Sequence, residues 1–154
     1  MSSIGASASD AVLVGAADAE RIGNASQLVR LLVDSSSAQG RLSAQRVTLR
    51  EGTDGASPHH HSASSELFFV ISGTAQLLAG EVVVECDEGD LAVVPPGTPH
   101  AFAAAAAQDA DLLIVMAPGI ERFEYFRHLA RIAAHGRCRR PRSRKRSSAT
   151  RKDV

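Results

Sequence analysis

Three residues in the middle of the chain have the types and the spacing of a metal site. His59 and His61 are separated by one residue, and Glu66 follows His61 after four more residues. On an extended strand alternate side chains point to the same face, so His59 and His61 share a face and His60 points away. Two imidazoles and one carboxylate that converge make half or more of a transition-metal site. We therefore expect a metal here, with His60 at the surface.

A fourth candidate ligand, His100, follows later in the chain. It comes directly after residues 95–99, in which three prolines and Gly97 exclude a helix and favour a tight turn. Neutral imidazole and carboxylate suit divalent Fe, Mn, Ni, Cu and Zn, so one divalent transition metal is the expected cofactor. Three histidines and one glutamate leave open positions on a six-coordinate ion, at which a substrate or oxygen could bind.

The elements that must position these ligands are short apolar strands. Runs rich in Val, Leu and Ile, punctuated by Gly and Pro, indicate an all-β domain. Strands are predicted over 11–14, 28–33, 42–49, 67–71, 74–79, 82–86, 90–94, 101–105 and 111–117. A turn is predicted over 19–24, a second turn at Ser72–Gly73, and a bulge within 42–49, where the alternation slips.

Two segments near the C-terminus test the assignment of helix against strand. Six of the seven residues in 101–107 are alanine, which favours a helix by propensity alone. We predict a strand there, because the flanking Pro and Gly and the neighbouring hairpins leave little room for a helix. Helical periodicity is clear over 120–134, so one C-terminal helix is predicted. Its expected role is to cover an open sheet edge, and ligand contact is the alternative.

The spacing of these residues resembles the two sequence motifs of the cupin superfamily. The matching positions are His59, His61, Glu66 and Gly73 in the first motif, and Gly89, Pro95, Gly97 and His100 in the second. Two positions depart from the pattern: six residues instead of five separate Gly52 from His59, and Ala104 stands where the family has asparagine. Neither position is a metal ligand in the family, so the departures affect turn geometry more than chemistry.

The resemblance implies an all-β fold, the cupin double-stranded β-helix or jelly-roll barrel, with a C-terminal α-helix. The barrel is expected over about 28–117, within a cupin domain that spans 11–135. By the same resemblance four residues hold the metal: His59, His61, Glu66 and His100. Glu66 is also the predicted catalytic residue, as the acceptor of a substrate proton.

A weaker resemblance, carried by the strands before the first motif and by residues 118–123, is to small quercetinase-like cupins. It implies a metal-dependent dioxygenase that acts on an oxygen-rich small organic molecule. Two alternatives stay open, because fold does not determine function. One is a non-catalytic module that binds a small molecule or a metal, and the other is a cupin isomerase or polyketide-tailoring protein.

Strand alternation also predicts which side chains line a pocket beside the metal. Positions that share a face with Glu66 or His100 are expected to point the same way. The candidates are four apolar residues, Phe68, Val70, Phe102 and Met116, and two polar residues, Gln45 and Gln76. For each of them an ordinary place in the barrel core or on the surface is the alternative.

The net charge of zero hides two regions of opposite sign. Residues 1–136 contain 8 Lys+Arg and 16 Asp+Glu, whereas residues 137–154 contain 9 basic residues and one acid. We expect 1–10 and the basic tail 136–154 to be disordered. The tail could contact nucleic acid electrostatically, but it has no aromatic residues for base stacking, so a solvated extension is favoured and nucleic-acid binding is not expected.

Composition also bounds the location and the partners of the chain. No apolar run approaches the ~18 residues of a membrane span, and residues 1–10 lack the features of a signal peptide. The chain has two cysteines, Cys86 and Cys138, which makes a disulfide framework unexpected and suits the cytoplasm. A small-molecule substrate or ligand is the expected partner, and a homodimer is expected because cupins commonly pair.

Overall fold

Nine β-strands and one α-helix form the part of the chain that the computed structural model describes, residues 11–136. The strands are β1 Glu20–Gly23, β2 Gln27–Val33, β3 Ser43–Leu49, β4 Asp54–His59, β5 Ser65–Ala79, β6 Val82–Asp87, β7 Leu91–Val94, β8 His100–Ala104 and β9 Ala110–Ala117. The helix is α1, Phe123–Gly136, and a 3-10 turn occupies Ser35–Ala38. The segments predicted to be disordered, 1–10 and the tail after 136, lie outside the described residues.

All strand pairs are antiparallel, and they follow the order β1-β2-β3-β9-β5-β8-β4. The long strand β5 organises the sheet, because β6 and β7 pair with it as well. Its first half pairs with β7 and β9, and its second half pairs with β6 and β8. The sheet therefore curls around one core. This confirms the expected all-β barrel with a C-terminal helix.

A bend in β5 changes which side chains face the core. We predicted two strands separated by a turn at Ser72–Gly73, but β5 is continuous and its register shifts between Val70 and Ser72. Gly73 has φ +75°, and a Cβ atom there would lie 1.8 Å from the carbonyl oxygen of Asp109, so only glycine fits. Before the bend the even-numbered residues Glu66, Phe68 and Val70 face the core, and after it the odd-numbered residues Ala75 and Leu77 do.

Strict alternation places the core side chains in three of the strands. In β3, β8 and β9 every second residue is buried, as a strand with one face in the core requires. The alanine-rich β8 is a strand, as predicted, and its inward residues are His100, Phe102 and Ala104. Tertiary pairing with β4 and β5 therefore overrides the helical propensity of its alanines.

The N-terminal part of the barrel differs from the prediction. No strand forms over 11–14, and β1 occupies Glu20–Gly23, where we predicted a turn. The turn comes later, because Asn24 Oδ1 accepts hydrogen bonds from the backbone N–H groups of Ser26 and Gln27. β1 is an exposed edge strand, so its polar composition resembles that of a loop. The register irregularity lies in β2, between Leu31 and Val33, and not within 42–49.

Helix α1 is tied to the barrel at its beginning and along its side. Asp34, which follows β2, accepts hydrogen bonds from the backbone N–H of Arg122 at 2.8 Å and of Phe123 at 3.3 Å. This carboxylate satisfies donors that have no partner inside the helix. Arg127 forms an ion pair with Glu20 of β1 at 2.6 Å. Among the described residues no helix has the length and apolar character needed to cross a membrane.

Candidate metal centre

Three strand ends bring the predicted ligands together. His59 is the last residue of β4 and lies directly opposite His100, the first residue of β8, in the antiparallel pairing of these strands. Glu66 is the second residue of β5, and His61 lies in the loop between β4 and β5. The structure therefore brings the four predicted metal ligands to one place.

A tight turn before β8 sets the position of both His61 and His100. Pro95 to Thr98 form a β-turn in which the Thr98 N–H donates to the Pro95 carbonyl at 3.3 Å and Gly97 has φ +78°. These features define a type II turn, which requires a positive φ at its third residue. The Gly97 N–H also donates to the carbonyl oxygen of His61 at 2.7 Å. One turn thus aims His100 inward and holds the loop that carries His61.

The donor atoms are close enough to share a single ion. Glu66 Oε2 lies 2.6 Å from His100 Nε2, 3.1 Å from His61 Nε2 and 3.9 Å from His59 Nε2. All four donors lie within 4.8 Å of one another. An ion about 2.1 Å from each donor separates neighbouring donors by about 3 Å and opposite donors by about 4 Å. The residues present therefore fit one transition metal.

Two backbone carbonyls orient the imidazole rings. His59 Nδ1 lies 2.8 Å from the Ser57 carbonyl oxygen, and His100 Nδ1 lies 2.9 Å from the Thr98 carbonyl oxygen. A carbonyl only accepts, so each Nδ1 carries the hydrogen and each neutral ring presents a lone pair at Nε2. The lone pair of His100 then faces Glu66 Oε2 at 2.6 Å. Two acceptors at this distance repel each other unless they share a proton or a metal ion, and a metal ion bound to both atoms would remove the repulsion.

The cluster is buried on one side and open on the other. The side chains of His100 and Glu66 are 1% and 3% exposed, whereas that of His59 is 30% exposed. Burial lowers the pKa of His61; the nearby Glu66 opposes this shift, and the positive Arg122 adds to it. A lowered pKa keeps His61 neutral at neutral pH, in the form that binds a metal. His60 is exposed, as strand alternation predicts.

A cavity of about 760 Å³ opens onto the cluster. His59, His61 and Glu66 lie in its wall, together with apolar residues of β2 and β3. Helix α1 and the residues just before it form the opposite wall, with these side chains: Ile120, Glu121, Arg122, Tyr125, Phe126, Leu129, Ala130 and Ala133. The helix therefore does more than cover a sheet edge, since it encloses the space beside the ligands.

The six predicted pocket residues fall into three groups. Gln45 and Phe102 line the cavity. Phe68, Val70 and Met116 are buried in the barrel, and none of them reaches the cavity wall. Gln76 lies in a separate groove and donates to Glu85 at 3.2 Å, because the bend in β5 turns it away from the face of Glu66.

The analysis of the sequence missed Arg122 and the contribution of α1 to the cavity. A helix at 120–134 was expected, but its docking geometry depends on contacts distant in sequence, such as that between Arg127 and Glu20. One signal was present. Residues 51–121 contain no Lys or Arg, and Arg122 is the first basic residue of this kind after them.

Comparison with known proteins supports the same fold. The family model described as the cupin domain (Cupin_2) matches residues 45–116, which contain all four ligands. No curated protein is a significant match to this sequence. KdgF from Halomonas sp. is similar in structure, with 17% sequence identity, a TM-score of 0.61, and coverage of 71% of this chain and 94% of that chain.

Two further solved structures show the same likeness. A predicted oxalate decarboxylase from Thermotoga maritima has 18% identity and a TM-score of 0.61, with coverage of 69% of this chain and 98% of that chain. The polyketide cyclase RemF from Streptomyces resistomycificus has 19% identity and a TM-score of 0.59, with coverage of 71% and 80%. Identities this low show a shared fold, and the names of these proteins span different reactions. The likeness therefore shows that the chain has the cupin fold, and the match of residues 45–116 to the cupin domain model supports the cupin superfamily.

Proposed function

We propose that this cupin is a metal-dependent enzyme of the oxygenase class that acts on an oxygen-rich small organic molecule in the cavity. The observation that carries the proposal is the position of the ligand cluster in the wall of a cavity of about 760 Å³, with His59 partly exposed. A structural metal site is closed by protein ligands, whereas a catalytic one keeps an open side. A bound divalent ion would act as a Lewis acid and hold substrate oxygen atoms.

The side chains at the cavity have distinct proposed roles. The metal ligands are His59, His61, Glu66 and His100. Glu66 has the additional proposed role of accepting a substrate proton, since it is the carboxylate within the ligand cluster. The other cavity carboxylate, Glu121, accepts a hydrogen bond from the Ser36 backbone N–H at 2.5 Å and is thereby engaged in the fold. Phe102 and Gln45 would contact the organic part of the substrate.

The reaction class is the part of the proposal that rests on resemblance. The segment 118–123 is similar to that of quercetinase-like cupins, which favours a dioxygenase. The three solved structures named above include a predicted decarboxylase and a polyketide cyclase, so the barrel accommodates other chemistry. Three alternatives to the oxygenase therefore remain for the test to distinguish: a cupin isomerase, a polyketide-tailoring protein and a non-catalytic binding module.

Oxygen uptake tests the proposal directly. The purified protein would be loaded separately with Fe, Mn, Ni, Cu and Zn, and oxygen consumption would be recorded with a panel of flavonols and β-diketones. We expect uptake with at least one pair of metal and substrate, loss of uptake in His59→Ala, and unchanged uptake in the matched control His60→Ala. Bound metal without oxygen uptake or product across the panel would contradict the oxygenase and favour a binding module.

An apolar patch on the outer face of the sheet supports the proposal of a homodimer. Leu91 and Val93 of β7 are 59% and 56% exposed, and they lie opposite Phe69 and Leu67 of β5. A contiguous apolar surface of this kind is typical of an interface between proteins. We expect a dimer by light scattering after size exclusion and a monomer for Val93→Lys. A monomeric wild-type protein at micromolar concentration would contradict the proposal.

The proposed location is the cytoplasm. The chain contains only two cysteines, and Cys86 is a free thiol among the described residues. A reducing compartment preserves free thiols, whereas secreted domains of this size are often cross-linked. Fractionation of cells that produce the protein, followed by immunodetection, would check the location.

A further inference from the structure

Arg122 is held rigidly in the wall of the cavity. Its backbone N–H is bound by the carboxylate of Asp34, and its side chain packs on two aromatic rings of α1. The guanidinium carbon lies 5.2 Å from the ring centroids of both Tyr125 and Phe126. Contacts of this geometry are cation–π interactions, which position the cation without satisfying its hydrogen-bond donors.

The guanidinium of Arg122 lacks a good acceptor. Its Nε atom is buried and forms no hydrogen bond, and Nη1 contacts only Met116 Sδ at 3.7 Å, a weak acceptor. No carboxylate in residues 11–136 forms an ion pair with it, whereas Arg46 and Arg50 are paired with Asp111 and Asp109. An unpaired buried donor on a charged group is costly, and it leaves Arg122 as a cation without an ion-pair partner among the described residues.

Arg122 lies in the wall of the same cavity as three of the metal ligands. Met116, which Arg122 contacts, lies directly opposite Glu66 in the pairing of β5 with β9. Arg122, His61 and Glu66 all line one cavity. A ligand that bridges the cluster and the guanidinium therefore fits within the cavity.

We propose that Arg122 binds the carboxylate of a small organic acid whose other oxygen atoms face His59, His61 and Glu66. The planar guanidinium matches a carboxylate in a two-point hydrogen bond. Arg122 is the one Lys or Arg among the described residues of the lining, which also contains two carboxylates, Glu66 and Glu121. With a divalent ion present the lining would have one positive charge in excess, which suits a carboxylate better than a phosphate dianion.

The apolar part of the lining fits the rest of such a ligand. Val29, Val47 and Phe102 on the barrel side, and Phe126 and Leu129 on the helix side, would pack against a hydrocarbon or aromatic body. The inference rests on the proposed function only in taking this cavity as the substrate site. It assigns the chemical class of the substrate, an organic acid, to that site.

Nuclear magnetic resonance of arginine Nε–H groups tests the proposal with formate, a carboxylate small enough to enter any part of the cavity. The full-length protein would be titrated as a zinc complex and after removal of metal by a chelator. The neutral molecule formamide, of similar size, is the control ligand. We expect formate to give a saturable shift of the Arg122 Nε–H signal in both states, with an affinity at least about tenfold above that of formamide.

Two variants locate the bound anion. Arg122→Gln removes the charge, so we expect loss of the preference for formate, whereas Arg122→Lys keeps a charge and retains part of the preference. Arg30 of β2, which donates to Thr48 of β3, provides the matched control Arg30→Gln, for which we expect wild-type titration curves. The proposal is overturned if the Arg122 signal does not move, if formamide binds as well as formate, or if Arg122→Gln keeps the preference. The titration without metal separates these results from any failure of metal binding or turnover.

Discussion

At the scale of single residues, the candidate metal centre depends on backbone groups as much as on the side chains of its four predicted ligands. The carbonyl oxygens of Ser57 and Thr98 hold His59 and His100 in the tautomer that presents Nε2. Such partners of the ligands commonly affect metal affinity, because they fix both the ring orientation and the site of the proton. The backbone therefore orients the two imidazole rings toward the candidate site.

The ligands themselves could be predicted from the sequence, but their surroundings could not. His59, His61, Glu66 and His100 occupy motif positions whose spacing places them at strand ends. The position of Gln76 depends on the bend at Gly73, a long-range packing constraint that local alternation does not reveal. The alternation of side chains along a strand therefore does not predict which residues face the core beyond a bend, because a shift of one residue exchanges the two faces.

A prediction at this scale concerns Phe102, which is buried, lines the cavity and packs on Phe68 with ring centroids 5.4 Å apart. We expect Phe102→Ala to lower the free energy of unfolding by about 3 kcal/mol, the low end for a buried Phe, because the site already borders a cavity. Urea denaturation of the metal-free protein would measure the loss. Phe102→Leu should lose clearly less, and equal stability of Phe102→Ala and wild type would contradict the packing described.

At the scale of elements, the turn before β8 and the docked helix α1 complete the site. The turn was predictable from its Pro-Gly composition, because Pro and Gly meet the dihedral requirements of a type II turn. The docking of α1 was not predictable, since an amphipathic helix indicates only that one face is buried and not which surface it meets. The same limit explains why Arg122 was missed.

The turn gives a prediction at Gly97, where φ is +78°. Gly97→Ala imposes about 1–2 kcal/mol of backbone strain and weakens the contact of the turn with the His61 carbonyl, so metal affinity should fall as well as stability. Gly89→Ala is the matched control, with φ +90° and no atom within 4 Å of the added Cβ. Calorimetric titration with zinc should show weaker binding only for Gly97→Ala. Equal zinc affinities of the two variants would argue against a role of the turn in the site.

The helix gives a prediction about pH. Hydrogen bonding by Arg127 lowers the pKa of Glu20 from its ordinary value of 4.5, so the pair stabilises the docked helix above that value. This contribution is lost as pH falls through the lowered pKa, and it is small because both side chains are largely exposed. Tyr125, on α1, is the one tyrosine of a chain without tryptophan, and its fluorescence reports docking.

We expect the Tyr125 signal to change on acidification below about pH 4.5 in the wild type. In Glu20→Gln this step should be smaller, because Glu20 no longer titrates at the contact and only Glu124 remains paired with Arg127. A step of the same size and midpoint in Glu20→Gln would show that another group controls the docking of the helix.

At the scale of the whole molecule, the barrel is predictable where its strands are buried and less so at its N-terminal edge. β9 and β3 could be recognised as strands from their apolar residues, and in each of them every second residue faces the core. β1 is exposed and polar, so its pairing with β2 is set by the Asn24 turn and has no apolar pattern to reveal it. Strands of this fold can therefore be predicted from the sequence where they are buried, and strand propensity alone does not reveal the exposed ones.

The most direct test of the account is the metal content of the protein and of four single variants. Mass spectrometry of the purified full-length chain should find one divalent transition metal per chain in the wild type and in His60→Ala, whose altered side chain is exposed. His59→Ala, His61→Ala and His100→Ala each remove a donor from the cluster, and we expect them to lose most of the metal. Full metal content in His59→Ala and His100→Ala, with the fold intact, would contradict the central claim that these side chains hold a metal.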